Sequence, residues 1–112
     1  MAIIYHMVPS ATWQALPQDA DYRAESLSTE GFIHCTGEPE RLVEVANRFY
    51  RQEEGAFLIL HVDSAAVQAT VRWEEADEHL FPHVYGPIAR VAVVAVTPFP
   101  RLADGTFTTP IW

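Results

Sequence analysis

One short segment constrains the fold more than any other part of this sequence. Residues 30–36 (Glu-Gly-Phe-Ile-His-Cys-Thr) are apolar in the middle and end in polar or reactive side chains. Gly37 follows, and apolar residues then recur at helical spacing through residues 38–52. A strand that runs directly into a helix presents its last side chains near the helix N-terminus, where anionic groups bind favourably. The imidazole of His34 is therefore predicted to lie at a ligand-binding position.

Three further apolar, strand-like segments also carry a histidine, at His6, His61 and His83. An imidazole that is buried without a hydrogen-bond partner is costly, so several such rings in one small core indicate a shared cavity. We expect His6, His34 and His83 to converge in a single cleft and to act there as catalytic residues. Imidazoles that titrate near neutral pH suit general acid–base chemistry.

The other candidate residues receive different predictions. His61 lies near the end of its strand and is predicted to cap a turn. The acidic residues 74–78 are predicted to form a solvated loop that places His79 on the surface. Glu74 is the exception, because it follows a short strand directly and is predicted to reach into the cleft. Cys35 points away from the face of the preceding imidazole and is assigned mainly to the core.

Length, charge and cysteine content limit the class of protein. A chain of 112 residues fits one domain, residues 1–112, and its single Cys excludes an intramolecular disulfide. The net charge is −8 and Lys is absent, so broad neutralisation of nucleic-acid phosphates is not expected. No segment is long and apolar enough to suggest a membrane span. These features predict a cytoplasmic protein whose partner is a small molecule.

The order of the predicted elements indicates an α+β domain with a mixed or antiparallel sheet and a few packed helices. The predicted strands span residues 3–8, 30–36, 56–62, 70–73, 81–85 and 88–96, and the predicted helices span residues 11–16 and 38–52. Strand 56–62 is expected to be central, and Pro82 favours an edge position, or the first position of a strand, within residues 81–85. A long apolar strand near an edge would favour a homodimer. Asp104-Gly105 predicts a turn in a terminal hairpin.

Several motifs together resemble a known family. They are Ile4-Tyr5-His6, Ser26-Leu27, residues 30–36, Val45-Ala46-Asn47, Trp73-Glu74 and Phe81-Pro82-His83-Val84-Tyr85-Gly86-Pro87. In this respect the chain is similar to the small bacterial proteins called domain of unknown function 952. The resemblance implies an ADP-ribosyltransferase-like fold and NAD, or another nucleotide or phosphate-bearing small molecule, as the ligand.

The resemblance also implies roles for particular residues. Transferases of this fold carry a histidine in the first strand, as His6 does, and a tyrosine near the position of His34. Residues His6, His34, Thr36 and Tyr85 would then contact the nucleotide. The family chemistry uses a glutamate where this sequence has His83, so either Glu74 reaches the site from a neighbouring segment or the site performs different work.

Two alternatives remain open from the sequence. The first is a ligand-binding module without catalytic activity on the same scaffold. The second is a metal-dependent hydrolase in which His6, His34, His83 and Glu74 hold the ion. None of these residues has the short helical spacing of familiar zinc motifs, so no metal ligand is assigned.

Overall fold

Two three-stranded antiparallel sheets form the framework of the protein, whose structure, a computed structural model, describes residues 2–110. The first sheet contains β1 (Ile3–Pro9), β3 (Phe57–Asp63) and β6 (Val93–Phe99), in the order β1-β3-β6. The second sheet contains β2 (Ile33–His34), β4 (Thr70–Ala76) and β5 (His79–Tyr85), in the order β2-β5-β4. All strand pairs are antiparallel, which confirms the predicted α+β class.

Three α-helices accompany the sheets within the described residues 2–110: α1 (Ser10–Ala15), α2 (Glu25–Thr29) and α3 (Pro39–Phe49). Helix α3 begins with a proline, which is well suited to a first helical position, and Leu42 and Ala46 on it are buried. The prediction of this helix is confirmed, although the helix is shorter at both ends. Helix α1 begins and ends one residue earlier than the predicted helix of residues 11–16, and Pro9 precedes it.

The two sheets meet at a single bridge between Tyr5 of β1 and Thr36. The amide N of each residue lies 2.8 or 2.7 Å from the carbonyl O of the other. One hydrophobic core lies between the sheets and includes Ile4, Ile33 and Val84. A second core lies beneath α3 and includes Met7, Leu42, Ile59 and Phe107. Strand β3 contributes to both cores, as predicted for a central strand that is covered on both faces.

The acidic segment of residues 74–78 does not form the predicted loop. Strand β4 continues through Ala76, with Glu74 opposite Phe81 and Glu75 opposite Leu80. The turn is confined to Asp77 and Glu78, whose φ angles are 50° and 66°. Positive φ at both central residues is the geometry of a tight hairpin turn that matches strand twist. Cross-strand pairing, which local charge does not reveal, therefore outweighs the polar composition of this segment.

Strand β5 is central in its sheet, and the predicted edge position is wrong. Pro82 can occupy a central strand here because β2 is only two residues long. The carbonyl O of Pro82 accepts a hydrogen bond from the amide of Cys35 at 3.1 Å, so the side of Pro82 that lacks an N–H faces the end of β2. The missing donor therefore interrupts no continuing ladder. The predicted second strand of residues 30–36 likewise shortens to β2.

The last strand lies further along the chain than predicted for residues 88–96. Ile88 forms a bridge with Tyr22, and a 3₁₀ turn occupies Arg90–Ala92 before β6 begins. Val94 is an extra residue in β6, where the pairing with β3 shifts register. This bulge and Pro98 interrupt the regular hydrogen-bonding edge. The predicted turn at residues 104–105 is confirmed, because the Leu102 amide before it donates a hydrogen bond to the Thr106 carbonyl after it.

Candidate functional site

A groove of about 870 Å³ lies between helix α3 and one face of the second sheet, with part of β1 at its base. His6, His34 and His83 all line it, although they come from β1, β2 and β5. Strand periodicity explains why they can meet. His34 lies opposite His83 in the β2–β5 register, so both imidazoles project from the same face of the second sheet. The opposite face supplies Ile33 and Val84 to the core.

His83 is held in a defined orientation. The residue is 7% exposed, and its Nδ1 lies 2.8 Å from Oε1 of Glu74 on the neighbouring strand. Phe32 stacks on this imidazole with 4.2 Å between ring centroids. A carboxylate only accepts hydrogen bonds, so Nδ1 carries the proton. Within residues 2–110, Nε2 of His83 has no hydrogen-bond partner. Every buried side-chain nitrogen in these residues does have a partner, so Nε2 is not buried and is reached by solvent.

His34 lies beside His83, with 5.3 Å between the two ring centroids. Its Nε2 lies 3.1 Å from Oε2 of Glu30, and both side chains are about half exposed. The Glu30 carboxylate accepts this hydrogen bond, which leaves Nδ1 of His34 available to a ligand. Two imidazoles, each bonded to a glutamate through one nitrogen, therefore stand together in the groove.

His6 is buried, as His83 is, but it is held by two hydrogen bonds. Nδ1 donates to the carbonyl O of His34 at 2.6 Å, and Nε2 accepts from the hydroxyl of Tyr22 at 2.8 Å. Burial lowers the pKa of His6 from 6.5 to about 4, so this ring is neutral at physiological pH. Both of its nitrogens are used within the protein. A ligand contact through either nitrogen of His6 requires one of these bonds to break.

Glu74 and Tyr85 lie on the same sheet face as His83 but do not line the groove. The Tyr85 hydroxyl donates to the same Glu74 oxygen that accepts from His83. Hydrogen bonds from Tyr85, and then from His83, lower the pKa of Glu74, whereas the bond to Glu74 raises the pKa of Tyr85. The Arg72 guanidinium lies 5.2 Å from the centroid of the Tyr85 ring. Glu74 is consequently ionised, and it contacts His83 from outside the groove lining.

The remaining sequence candidates take varied positions. Thr36 is buried and lines the groove, while its backbone bridges to β1. Cys35 is buried in the core as predicted, and burial raises the pKa of its thiol to about 12. His61 does not cap a turn: it lies within β3 and bonds to Thr97 Oγ1 at 2.9 Å. His79 is exposed as predicted, but it belongs to β5 and also lines the groove.

Carboxylates outnumber cations around the groove. The acidic residues that line it are Glu25, Glu30, Glu44, Glu53, Glu54 and Asp77. Arg41 and Arg48 are the arginines among the lining residues, and both already have acidic neighbours. Arg41 lies 3.7 Å from the nearer of its two glutamate partners, and Arg48 lies 3.2 Å from Asp77 of the β4–β5 turn. The field in the groove therefore favours a neutral or cationic ligand group over an anionic one.

The Arg48–Asp77 ion pair also spans the groove, because it joins the last turn of α3 to the β4–β5 hairpin. Aromatic rings contribute much of the remaining lining: Phe32, Phe49, Tyr50, Phe57 and Phe81. Within residues 2–110, no group of three or more His, Cys, Asp or Glu is placed to hold a metal ion. The metal-dependent alternative gains no support from the geometry of these residues. Across the same residues, no helix is both long and apolar enough to cross a membrane.

Two site residues, Glu30 and Phe32, were not singled out by the sequence interpretation. Both precede His34 within the segment on which that interpretation was built. A period of two places Phe32 on the same face as His34, so its contact with the histidines was predictable in principle. The bond from Glu30 to His34 depends on the turn between α2 and β2, including Gly31 at φ 90°, which the sequence pattern does not specify.

Fold and site together define a small α+β protein with paired histidine–glutamate groups in an aromatic groove. A family model described as "Protein of unknown function (DUF952)" matches residues 7–96, and the chain belongs to this family. No curated protein matches the sequence. Among solved structures, the chain is similar to the crystal structure of protein CC0527 from Caulobacter crescentus. Sequence identity is 26%, the TM-score is 0.77, and the match covers 95% of this chain and 93% of that one.

The solution NMR structure of CC0527 is also similar to this chain. Its TM-score is 0.72 at 26% identity, and the match covers 94% of this chain and 90% of that one. The likeness extends over nearly the full length of both proteins, so it includes the two sheets and α3. It supports the α+β fold with antiparallel sheets and assigns no activity.

Proposed function

We propose that this protein is an ADP-ribosyltransferase-like enzyme that binds NAD in the groove and cleaves its nicotinamide–ribose bond. The observation that carries the proposal is the pairing of His34 and His83, whose ring centroids lie 5.3 Å apart. Each ring is bonded to a glutamate through one nitrogen and keeps the other for a ligand. Such paired imidazoles suit general acid–base chemistry near neutral pH.

The size and lining of the groove support a ligand of this kind. Its volume of about 870 Å³ falls within the usual range for small-molecule and cofactor sites. Phe32 lies against both His34 and His83, with centroid distances of 4.8 and 4.2 Å. A planar heteroaromatic ring would find stacking partners on these side chains.

Charge determines which end of NAD lies beside the histidines. The nicotinamide ring of NAD is cationic, and the carboxylate of Glu30 lines the groove next to His34. The diphosphate is anionic and lies nearest Arg41 and Arg48 on α3, which must turn from their carboxylate partners to the phosphates when NAD binds. ADP-ribose lacks the cationic ring and is expected to bind more weakly than NAD.

The proposed reaction is hydrolysis or transfer at the anomeric carbon of the nicotinamide ribose. The bond between that carbon and the ring nitrogen breaks, and its electron pair leaves with nicotinamide. The Glu30 carboxylate stabilises the positive charge that develops on the ribose. An acceptor oxygen, from water in the simplest case, forms the new bond and gives its proton to Nε2 of His83. Glu30 thereby takes the electrostatic role for which the sequence offered Glu74.

The experiment is to incubate the protein with NAD and to measure nicotinamide release by chromatography. His83→Gln and Glu30→Gln are expected to reduce release by about 10²-fold or more. Glu75→Gln is a matched control, because Glu75 lies beside Glu74 in β4 and is exposed. Release that does not exceed a protein-free blank, or that both site variants leave unchanged, contradicts the proposal.

A non-catalytic ligand-binding module is the second candidate. It is favoured by His6, whose two ring nitrogens are both engaged within the protein and supply no reactive group. Thermal shift with NAD, nicotinamide and ADP-ribose separates the two cases, since a ligand that binds the folded state raises the melting temperature. Stabilisation by NAD without nicotinamide release supports the binding module. No stabilisation by any of these ligands contradicts both functions.

A further inference from the structure

We infer that Glu74 and Tyr85 act as positioning residues that hold His83 with its Nδ1 protonated and its Nε2 presented to the groove. The inference rests on the proposed function, because it assigns the orientation of the base used there. It differs from the sequence interpretation, in which Glu74 reached the ligand directly. Neither Glu74 nor Tyr85 lines the groove, whereas His83 does.

The geometry of the three residues carries the inference. Glu74 Oε1 accepts from His83 Nδ1 at 2.8 Å and from the Tyr85 hydroxyl at 2.5 Å. Because the tyrosine can only donate to a carboxylate oxygen, it leaves that oxygen as an acceptor for the imidazole. Arg72 stands opposite His83 in the strand pairing and adds a positive charge on the same side. This environment keeps Glu74 ionised and therefore keeps the proton on Nδ1.

The packing around His83 fixes the plane of its ring, and the bond to Glu74 selects the orientation within that plane. Phe32 covers one face of the imidazole with an interplanar angle of 24°, and His34 approaches it edge-on. The side chain is 9% exposed, so its contact with solvent is limited to a small part of its surface. A flipped ring would place a carbon against the Glu74 carboxylate and lose the hydrogen bond. A carboxylate that is bonded to Nδ1 fixes the tautomer of a catalytic histidine in the same way, although Glu74 is partly exposed.

Nuclear magnetic resonance of the histidine side chains tests the inference without a ligand. In the wild-type protein, ¹⁵N shifts at neutral pH are expected to identify His83 as the Nδ1–H tautomer. Glu74→Ala is expected to abolish this selection, and Tyr85→Phe to weaken it, while Glu75→Ala leaves it unchanged. An Nε2–H tautomer in the wild type, or an unchanged His83 signal in Glu74→Ala, would overturn the inference. Circular dichroism and melting temperatures establish that each variant is folded.

Kinetics of nicotinamide release provide the second readout. Glu74→Ala is expected to lower kcat by about 10²- to 10⁴-fold with little change in KM, because Glu74 acts through His83 and not on bound NAD. Glu74→Asp is expected to restore part of the rate. An increase in KM at constant kcat would contradict a positioning role. The selected tautomer without any nicotinamide release would instead refute the proposed function while leaving the assignment for His83 intact.

Discussion

The ring of His6 donates a hydrogen bond of 2.6 Å to the backbone carbonyl of His34. One histidine thus fixes the main chain of another that faces the groove. Tyr22 holds the opposite nitrogen of His6, so the imidazole connects β1, the end of β2 and the loop before α2. Its position in the groove lining does not require a direct role toward the ligand.

The buried state of His6 predicts how stability depends on pH. Its pKa is about 4 in the folded protein and 6.5 in the reference state, so the unfolded chain binds more protons between these values. The free energy of unfolding should therefore fall as pH is lowered from 6.5 to 4, by at most roughly 3 kcal/mol from this residue. Urea unfolding at several pH values measures the effect.

His6→Gln is the matching variant for that measurement. Its stability at pH 7 should be lower, since two buried hydrogen bonds are disturbed. Its further loss of stability between pH 6.5 and 4 should be smaller than that of the wild type, because the other titrating groups are common to both proteins. Equal losses in the two proteins would show that His6 does not titrate in this way.

Cys35 should be unreactive in the folded protein. Burial raises the pKa of its thiol to about 12, and only the thiolate attacks a disulfide reagent. We expect the reaction with Ellman's reagent at pH 8 to be slow without denaturant. It should be rapid in about 6 M guanidinium, which unfolds most domains. Rapid reaction of the folded protein would contradict the core assignment of this thiol.

The hairpin turn offers a stabilising substitution. Glu78 has a φ of 66°, a conformation that costs a residue with a side chain roughly 1–2 kcal/mol. Glu78→Gly should raise stability by up to about 1 kcal/mol, since glycine accepts this conformation but gains entropy in the unfolded chain. It leaves the ion pair of Asp77 in place.

The control for this substitution lies three residues earlier in the same hairpin. Glu75→Gly removes a similar exposed side chain within β4, where φ is negative and glycine weakens the strand. This variant should be less stable than the wild type. Thermal or urea unfolding measures the change in stability of each variant relative to the wild type. A change of the same sign in both variants would refute the role of turn geometry.

Gly86 lies where the chain leaves β5, and a side chain has no room there. A Cβ atom at this position would lie 2.7 Å from Cβ of Ala69, which has no flexible end to move aside. Gly86→Ala should destabilise the protein by about 1–3 kcal/mol through overpacking. Ala69→Gly in the same chain should relieve much of the loss, and absence of this rescue would point to another cause.

Much of the scaffold was predictable because periodicity reports burial directly. The alternation in Ile3–Pro9 and the helical spacing in Pro39–Phe49 each gave the correct element. The prediction of one strand over residues 88–96 was wrong in its bounds, because an apolar run does not distinguish a strand from a buried turn. The prediction of a loop at residues 74–76 was wrong because their strand conformation depends on pairing with β5.

The site was predictable in part for the same reason. Histidines in apolar segments stand out, and the register of β2 and β5 brings His34 and His83 together. The partners of these rings were harder to foresee. Glu74 bonds to His83 from the neighbouring strand, and Glu30 bonds to His34 because the chain turns at Gly31. Such contacts arise from tertiary geometry that a single sequence does not encode as a local pattern.

The lining of the groove comes from two separate parts of the chain, residues 6–57 and residues 76–83. During synthesis, the first part therefore has no complete pocket until the β4–β5 hairpin has emerged and docked. Separations of this kind slow folding, since chain entropy must be lost before the contacts form. Ligand occupancy consequently reports that the β4–β5 hairpin has docked, and a fragment that ends before His79 should have no binding activity to recover.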